Sequence, residues 1–323
     1  MTKTITEQQA AAMLRDADRI LLLAHQYPDG DTLGCNFALC LALQSLGKTV
    51  RVACGDPIPN KYNYMLEGIP QPDFEPAFIC ALDVADAKLL GPAMQAQYGE
   101  RVDLCIDHHS TNTGYAAHTC VDASCAAATM LIYRIIGLLG VEMNKAIAQC
   151  IFTGIATDTG CFKYSNADAA AHRIATDCIE LDIPYEMINR VNFDVKSRAR
   201  IELERLALEQ MRFCYDGRVA IMTINNEMVR LSGAEENDME GLPPIPRQIE
   251  GVWVGITLRQ KEDGNYKISV RTGTHADAAA ICALLGGGGH NRAAGCAVDG
   301  TWETARNAIL DAVERAVPNI TTG

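Results

Sequence analysis

A chain of 323 residues, 48% hydrophobic and 21% charged, is long enough for two hydrophobic cores and too balanced in composition to be fibrous or disordered. Its net charge of −12 and the lack of any basic run argue against a protein that grips long nucleic acid, because that grip comes from cations displacing counterions from phosphates. No apolar run approaches the roughly 18–20 residues that span a bilayer, so no membrane partner is expected. Thirteen scattered cysteines suit free thiols in a reducing cytoplasm better than a disulfide framework.

The first twenty residues read as an amphipathic helix, without the apolar core and cleavage site of a signal peptide. Strand and helix patterns then alternate. Arg19–Ala24 is an apolar strand, followed by a helix over Thr32–Leu46 that Gly47 ends. Thr49–Cys54, Ala77–Leu82 and Val102–Ile106 read as further strands, and 123–137, 144–158 and 167–181 as helices. That alternation predicts an α/β fold, a parallel sheet with helices on both faces and its sites at the carboxyl ends of the strands. A charged helix over 193–213 reads as a connector. Beyond it, strands at 218–224, 252–260 and 266–271 and helices at 276–285 and 302–317 predict a smaller α+β domain. The expected division is 1–190, a connector over 191–215, and 216–323, with a cleft between the two domains.

Acidic and imidazole side chains gather where strands end. The first strand runs into His25, Asp29 and Asp31; the third ends at Asp83, with Asp86 nearby; the fourth ends at Asp107-His108-His109; and a later helix carries Asp158. Singly, each has a plain structural reading, such as a turn, a helix cap or a hydrogen-bonded histidine. Together they repel one another unless protonated or neutralised, so the cluster calls for cations. Carboxylates and imidazoles without thiolates suit two divalent metal ions, Mn²⁺ first, with Mg²⁺, Co²⁺ and Zn²⁺ as competitors. Two ions sharing a carboxylate would serve phosphoryl hydrolysis.

The segments LLLAHQYPDGDTLG, CALDVAD, CIDHHSTN and FTGIATDTGCF, with LLGGGGHNRAAG near the C-terminus, resemble the motifs of the DHH phosphoesterases and their associated nucleotide-binding domain. The compact two-domain form is most similar to the nano-RNases, bifunctional oligoribonucleases that also dephosphorylate 3′-phosphoadenosine 5′-phosphate. The resemblance implies that His25, Asp29 and Asp83 hold one ion and that Asp31, Asp83, His108 and Asp158 hold the other, with Asp83 as bridge. It implies that Asp107 orients His108 and that His109 contacts the scissile phosphate or protonates the leaving oxygen. Substrates would be short RNA fragments or nucleotides, such as pApA or pGpG. Cys35, Thr272 and the Ala128-Thr129-Met130 segment depart from the family's pattern at positions that are not themselves proposed ligands.

The glycine run before His290, with Gly287, Gly288 and Gly289, reads as a cradle of N–H groups for an anion. Arg271 and Arg292 would grip phosphate beside it. Tyr64, Phe74, Tyr115, Phe162 and Tyr164 are candidates to stack a base, though packing explains most of them. A cyclic-dinucleotide phosphodiesterase would share every metal motif. An inorganic pyrophosphatase would have no use for the glycine–histidine domain, and an idle nucleotide sensor would have no use for a complete ligand set. The pattern leaves room for a homodimer.

Overall fold

The computed structural model describes residues 2–239 and 241–321. The chain divides between Val195 and Lys196 into two compact units.

The first unit is built on six parallel strands: β1 (Lys3–Thr4), β2 (Ile20–Leu23), β3 (Val50–Ala53), β4 (Phe78–Leu82), β5 (Leu104–Asp107) and β6 (His118–Val121). Their spatial order is β1-β6-β5-β4-β2-β3. β2 is an unbroken ILLL, buried at every residue, as a strand covered on both faces must be. Its Ile20 and Leu22, with Cys80, Leu82, Leu104 and Ile106, pack on helices α1 (Glu7–Asp16) and α2 (Gly30–Ser45). The alternate residues Leu21, Leu23, Ile79, Ala81 and Cys105 face a smaller layer that includes Tyr98 of α3 (Pro92–Tyr98). Helices α4 (Ala128–Leu139), α5 (Lys145–Asp158), α6 (Ala169–Ile179) and α7 (Tyr185–Asn189) complete the larger layer. The chain leaves β2 toward β3 on one side and returns to β4 on the other, so the order of strand addition reverses between β2 and β4, the position where open α/β sheets place ligands.

The parallel sheet and its main helices are those expected, with two strands and the short helices α3 and α7 added. β1 has two residues and β6 reads HTCV, patterns too short and too polar to register as buried strands. The helix expected from residue 123 starts instead at Ala128, because Asp122 closes a tight turn by accepting from the Ser124 amide and hydroxyl.

Glycines bring α2 and α5 into close approach. A Cβ at Gly34 would lie 2.6 Å from the Cys150 carbonyl oxygen, and one at Gly154 would lie 2.7 Å from the Asp31 carboxylate. The two helices can therefore meet backbone to backbone beneath the carboxyl ends of the strands.

The second unit begins with α8 (Arg198–Glu209), preceded by a π-helical turn over Arg190–Asp194. Its six strands are β7 (Arg212–Cys214), β8 (Val219–Ile224), β9 (Val254–Gln260), β10 (Tyr266–Thr272), β11 (Gly288–His290) and β12 (Ala293–Val298). They form a mixed sheet of order β11-β12-β10-β9-β8-β7, with only β8 and β9 parallel. One face buries Val254, Ile256, Ile268 and Val270 against α10 (Ala278–Ala283) and α11 (Trp302–Ala316). On the other, Met222 and Ile224 of β8 pack with Leu203 and Ala207 of α8 and with Met228 of α9 (Asn226–Ser232).

Gly34→Ala tests the close approach. Alanine's better helix propensity, worth about 1 kcal/mol, is opposed by a backbone carbonyl that cannot swing aside. Overpacking of this kind costs about 1–3 kcal/mol, so a melting point several degrees lower is expected. A melting point equal to or above wild type would show that the helices have slack.

Candidate metal and phosphoester site

Three groups of side chains meet at the carboxyl edge of the parallel sheet: His25, Asp29 and Asp83; Asp31, His108 and Asp158; and Asp83, His108 and His109. Asp83 and His108 each belong to two groups, so all the predicted metal residues lie in one continuous cluster. His25 Nε2 is 3.6 Å from Asp29 Oδ1 and 3.8 Å from Asp83 Oδ2. His108 Nε2 is 3.8 Å from Asp31 Oδ2, 3.6 Å from Asp83 Oδ1 and 3.3 Å from Asp158 Oδ2.

The backbone fixes each group in place. Asp29 caps α2, its Oδ1 accepting from the amides of Asp31 and Thr32. Thr32 donates its hydroxyl to the Leu82 carbonyl, tying the start of α2 to the end of β4. Asp31 is fully buried and accepts from the Ala128 and Thr129 amides at the N-terminus of α4, at 2.6 and 3.0 Å. That helix end supplies positive dipole to a carboxylate that, among the described residues, has no arginine or lysine ion pair. Asp83 follows β4 in the left-handed region, with φ of 59°, which turns its carboxylate across the strand ends.

Hydrogen bonds also set the imidazole tautomers. His25 Nδ1 bonds the Gln26 carbonyl at 2.7 Å and His108 Nδ1 bonds the Cys125 carbonyl at 3.1 Å. A carbonyl only accepts, so each Nδ1 carries the proton and each neutral ring turns its Nε2 lone pair toward the carboxylates. Lone pair then faces lone pair. Asp83 Oδ1 and His108 Nε2 are buried and have no hydrogen-bond partner, a costly state that a cation between them would relieve. The donor set, four carboxylates and two imidazoles with no thiolate, suits hard to borderline divalent ions.

Asp107 corrects one sequence expectation. Its Oδ1 accepts from His109 Nδ1 at 2.8 Å, while Oδ2 accepts from Asn112 at 2.6 Å. The ring it orients is therefore that of His109; from His108 it takes only the backbone N–H. The two rings lie edge to face with centroids 4.4 Å apart, and only the second sets its Nδ1 on the Asp107 carboxylate. His109 keeps 35% of its side chain exposed, which leaves its Nε2 available at the mouth of the cluster. Asn112 escaped the sequence reading, although it sits inside the CIDHHSTN segment.

The charges respond to this crowding. Burial, then the neighbouring carboxylates, pushes Asp83 and Asp158 well above the usual range, and burial raises Asp31. Burial would also raise Asp29 and Asp107, but attraction to the imidazolium form of His25 for the first, and hydrogen bonds from His109 and Asn112 for the second, outweigh it and hold both low. His109 is raised by its bond to Asp107; His25 is raised by Asp29 against the effect of burial.

In the second unit, strand register places His290, Ala293, Arg271 and Gly255 in one cross-strand row. The glycine run does not form the expected N–H cradle. The amides of Gly286 and Gly287 donate to the Ala283 and Cys282 carbonyls at the end of α10, because helix carbonyls there need donors. Gly288 and Gly289 lie in edge strand β11, and Gly289 presses on the backbone of Ala293 and Ala294. Arg292 commits Nη1 to the Gly273 and Ala276 carbonyls, leaving only the rest of its guanidinium for a ligand. Of the aromatic candidates, Tyr64 bonds Thr153 and Asn192, and Phe162 stacks on His172.

Comparison with known proteins agrees with this architecture. Residues 19–155 match the DHH family N-terminal domain and residues 218–319 match the DHHA1 domain. The chain is 31% identical over 304 residues to the bifunctional oligoribonuclease and PAP phosphatase NrnA of Thermus thermophilus, covering 91% of this chain and 89% of that protein. An exopolyphosphatase-related protein from Bacteroides fragilis superposes with a TM-score of 0.87 at 25% identity, over 97% of both chains. RecJ of Thermus thermophilus in complex with Mn²⁺ shares the fold, with a TM-score of 0.55 at 17% identity, over 96% of this chain and 54% of RecJ. The chain belongs to the DHH family of phosphoesterases and is a hydrolase. Among the described residues no helix is long and apolar enough to cross a membrane.

The pKa directions yield a test that needs no substrate. Stability from Asp31, Asp83 and Asp158, whose folded values are raised, is complete below about pH 3.9 and is lost as pH rises through those values. His25 and His109 act likewise above about pH 6.5, whereas the lowered Asp29 and Asp107 matter only below about pH 4. Between about pH 5.5 and about pH 8, the raised His25 and His109, with Asp83 and Asp158 held well above the usual range, weaken the metal-free fold as protons leave. The rise in melting temperature on replacing chelator with Mn²⁺ should be larger at the higher pH. An equal or smaller rise there would contradict cation binding by this cluster.

Proposed function

We infer that the protein hydrolyses phosphoester bonds in short 5′-phosphorylated oligoribonucleotides, including linear dinucleotides such as pApA and pGpG, and in 3′-phosphoadenosine 5′-phosphate. The observation that carries the metal-dependent reading is the pair of buried acceptors, Asp83 Oδ1 and His108 Nε2, facing each other without a donor. The name of the Thermus relative, an oligoribonuclease and PAP phosphatase at 31% identity, supports the substrate class.

In this reading His25, Asp29 and Asp83 hold one divalent ion, and Asp31, Asp83, His108 and Asp158 hold a second, Mn²⁺ in both. Ions so held supply Lewis acidity, neutralising phosphate charge and lowering the pKa of water. Asp107 keeps the His109 proton on Nδ1 in the neutral ring and favours the doubly protonated one. His109 Nε2 then donates a proton to the leaving oxygen or binds the scissile phosphate. Arg271 and His290 grip a part of the substrate that does not react. Local anchoring of this kind suits short substrates and an acidic protein, which has no basic track for a long strand. Thirteen free cysteines, most of them buried, fit a cytoplasmic setting.

Turnover of pApA, pGpG, a five-nucleotide RNA, 3′-phosphoadenosine 5′-phosphate, cyclic di-AMP and pyrophosphate in Mn²⁺ tests the substrate class. Mononucleotide release from the linear dinucleotides should be fastest, and preference for the cyclic compound would reassign the enzyme. Two variants separate the roles. Asp83→Asn should lose both Mn²⁺-dependent thermal stabilisation and activity, whereas His109→Ala should keep the stabilisation and lose about 10²–10⁴ in kcat, the range for general acid catalysis. An active Asp83→Asn enzyme would refute the bridging role.

A further inference from the structure

Arg247 stands outside every motif the sequence reading singled out, yet it lies against the sheet face that carries Arg271. It sits on a short 3₁₀ turn, Ile245–Gln248, reached through Pro243, Pro244 and Pro246. Prolines fix φ near −65°, so the turn presents its arginine with little freedom to lose on binding. The Arg247 amide donates to the Pro244 carbonyl at 3.1 Å.

Two glycines make room for it. A Cβ at Gly255 would lie 2.5 Å from the Arg247 amide nitrogen, and Gly255 is the cross-strand partner of Arg271. A Cβ at Gly273 would collide with Arg247 Nη2 and lie 3.0 Å from Cζ. Arg247 thus spans from the residue opposite Arg271 to the residue two beyond it. The Gly273 carbonyl also receives Arg292 Nη1, so Arg247 and Arg292 both approach this one glycine, the first on its Cα side and the second at its carbonyl, beside the row that holds Arg271 and His290.

Like charges brought together in a chain of net charge −12 require a reason. Among the described residues, Arg247 Nε is buried without a hydrogen-bond partner, and no carboxylate forms an ion pair with Arg247 or Arg292. Desolvated donors with no acceptor favour an incoming anion, and a planar guanidinium fork matches phosphate oxygens.

We propose that Arg247 is a phosphate-binding residue of the second unit, acting with Arg271 on a nucleotide phosphate monoester that is not hydrolysed. This deepens the assignment of Arg271 and His290 to substrate binding and rests on it. Arg247 would discriminate 5′-phosphorylated substrates from those with a free 5′-hydroxyl.

The test uses the full chain with chelator present, so that the carboxylate cluster carries no metal. AMP is titrated and Trp253 fluorescence followed. That ring stacks on His275 at 4.5 Å, and its carbonyl accepts the Gly273 amide, so it senses the site. Arg247→Met should weaken AMP about ten- to a hundredfold, the range for a lost charged hydrogen bond, while the melting temperature stays at the wild-type value. Adenosine should bind wild type and variant alike. Should Arg247→Met fail to fold, Arg247→Lys carries the test, with intermediate AMP affinity expected. AMP affinity unchanged in a folded variant, whichever of the two is measured, would overturn the proposal.

Hydrolysis of pApA by the same preparations, with Mn²⁺ restored, separates the two readings. Turnover with no Arg247 effect on AMP binding or on KM defeats this proposal alone. Arg247-dependent AMP binding without turnover leaves it standing and defeats the hydrolytic assignment.

Discussion

Mutual repulsion among buried carboxylates is the constraint on which the first unit depends. Asp31 and Asp83 are almost wholly removed from water and Asp158 is partly buried, yet among the described residues the cationic partners within reach are imidazoles. A folded chain tolerates such a group only if protons or metal ions occupy it, and each leaves a different trace on stability. Protons favour acid conditions. Divalent ions favour the neutral range in which a phosphoesterase works, and they bring the Lewis acidity that its chemistry uses.

The surrounding architecture keeps the acceptors aligned when nothing occupies them. Parallel strands β2, β4 and β5 deliver His25, Asp83 and His108 to one edge. The N-terminus of α4 stabilises Asp31, and glycines on α2 and α5 let the two helices approach closely enough for Asp31 and Asp158 to share a partner in His108. The histidines are oriented by carbonyls or by Asp107, so their ligating or donating nitrogens do not depend on a bound ion for direction. Such preorganisation reduces the reordering that accompanies substrate binding.

Much of this was legible in the residues because several signals agreed. Unbroken apolar runs such as ILLL specify buried parallel strands, and a polar residue at the end of such a run marks a sheet edge. The acidic and imidazole residues that assemble here follow such ends, except Asp158, which closes helix α5. What escaped was set by contacts across the chain. β1 is too short to carry a period and β6, HTCV, is too polar to read as a buried strand, and their pairing depends on the sheet's edge. That Asp107 bonds the ring of His109, while the ring of His108 bonds the Cys125 carbonyl, depends on side-chain placement that no spacing reveals. The glycine run looked like an anion cradle, but its first amides close a helix, a competition between two uses of the same N–H groups. Arg247 lies in a proline-rich loop whose meaning depends on which glycines it covers.

The central claim is that this cluster is a divalent metal centre. Direct titration of chelator-stripped protein with Mn²⁺, read by calorimetry, tests it. The geometry predicts about two equivalents bound per chain, as a two-ion phosphoesterase centre requires, with the stoichiometry falling when Asp83 is replaced by asparagine. Absence of binding, or binding that is indifferent to Asp83, would contradict it.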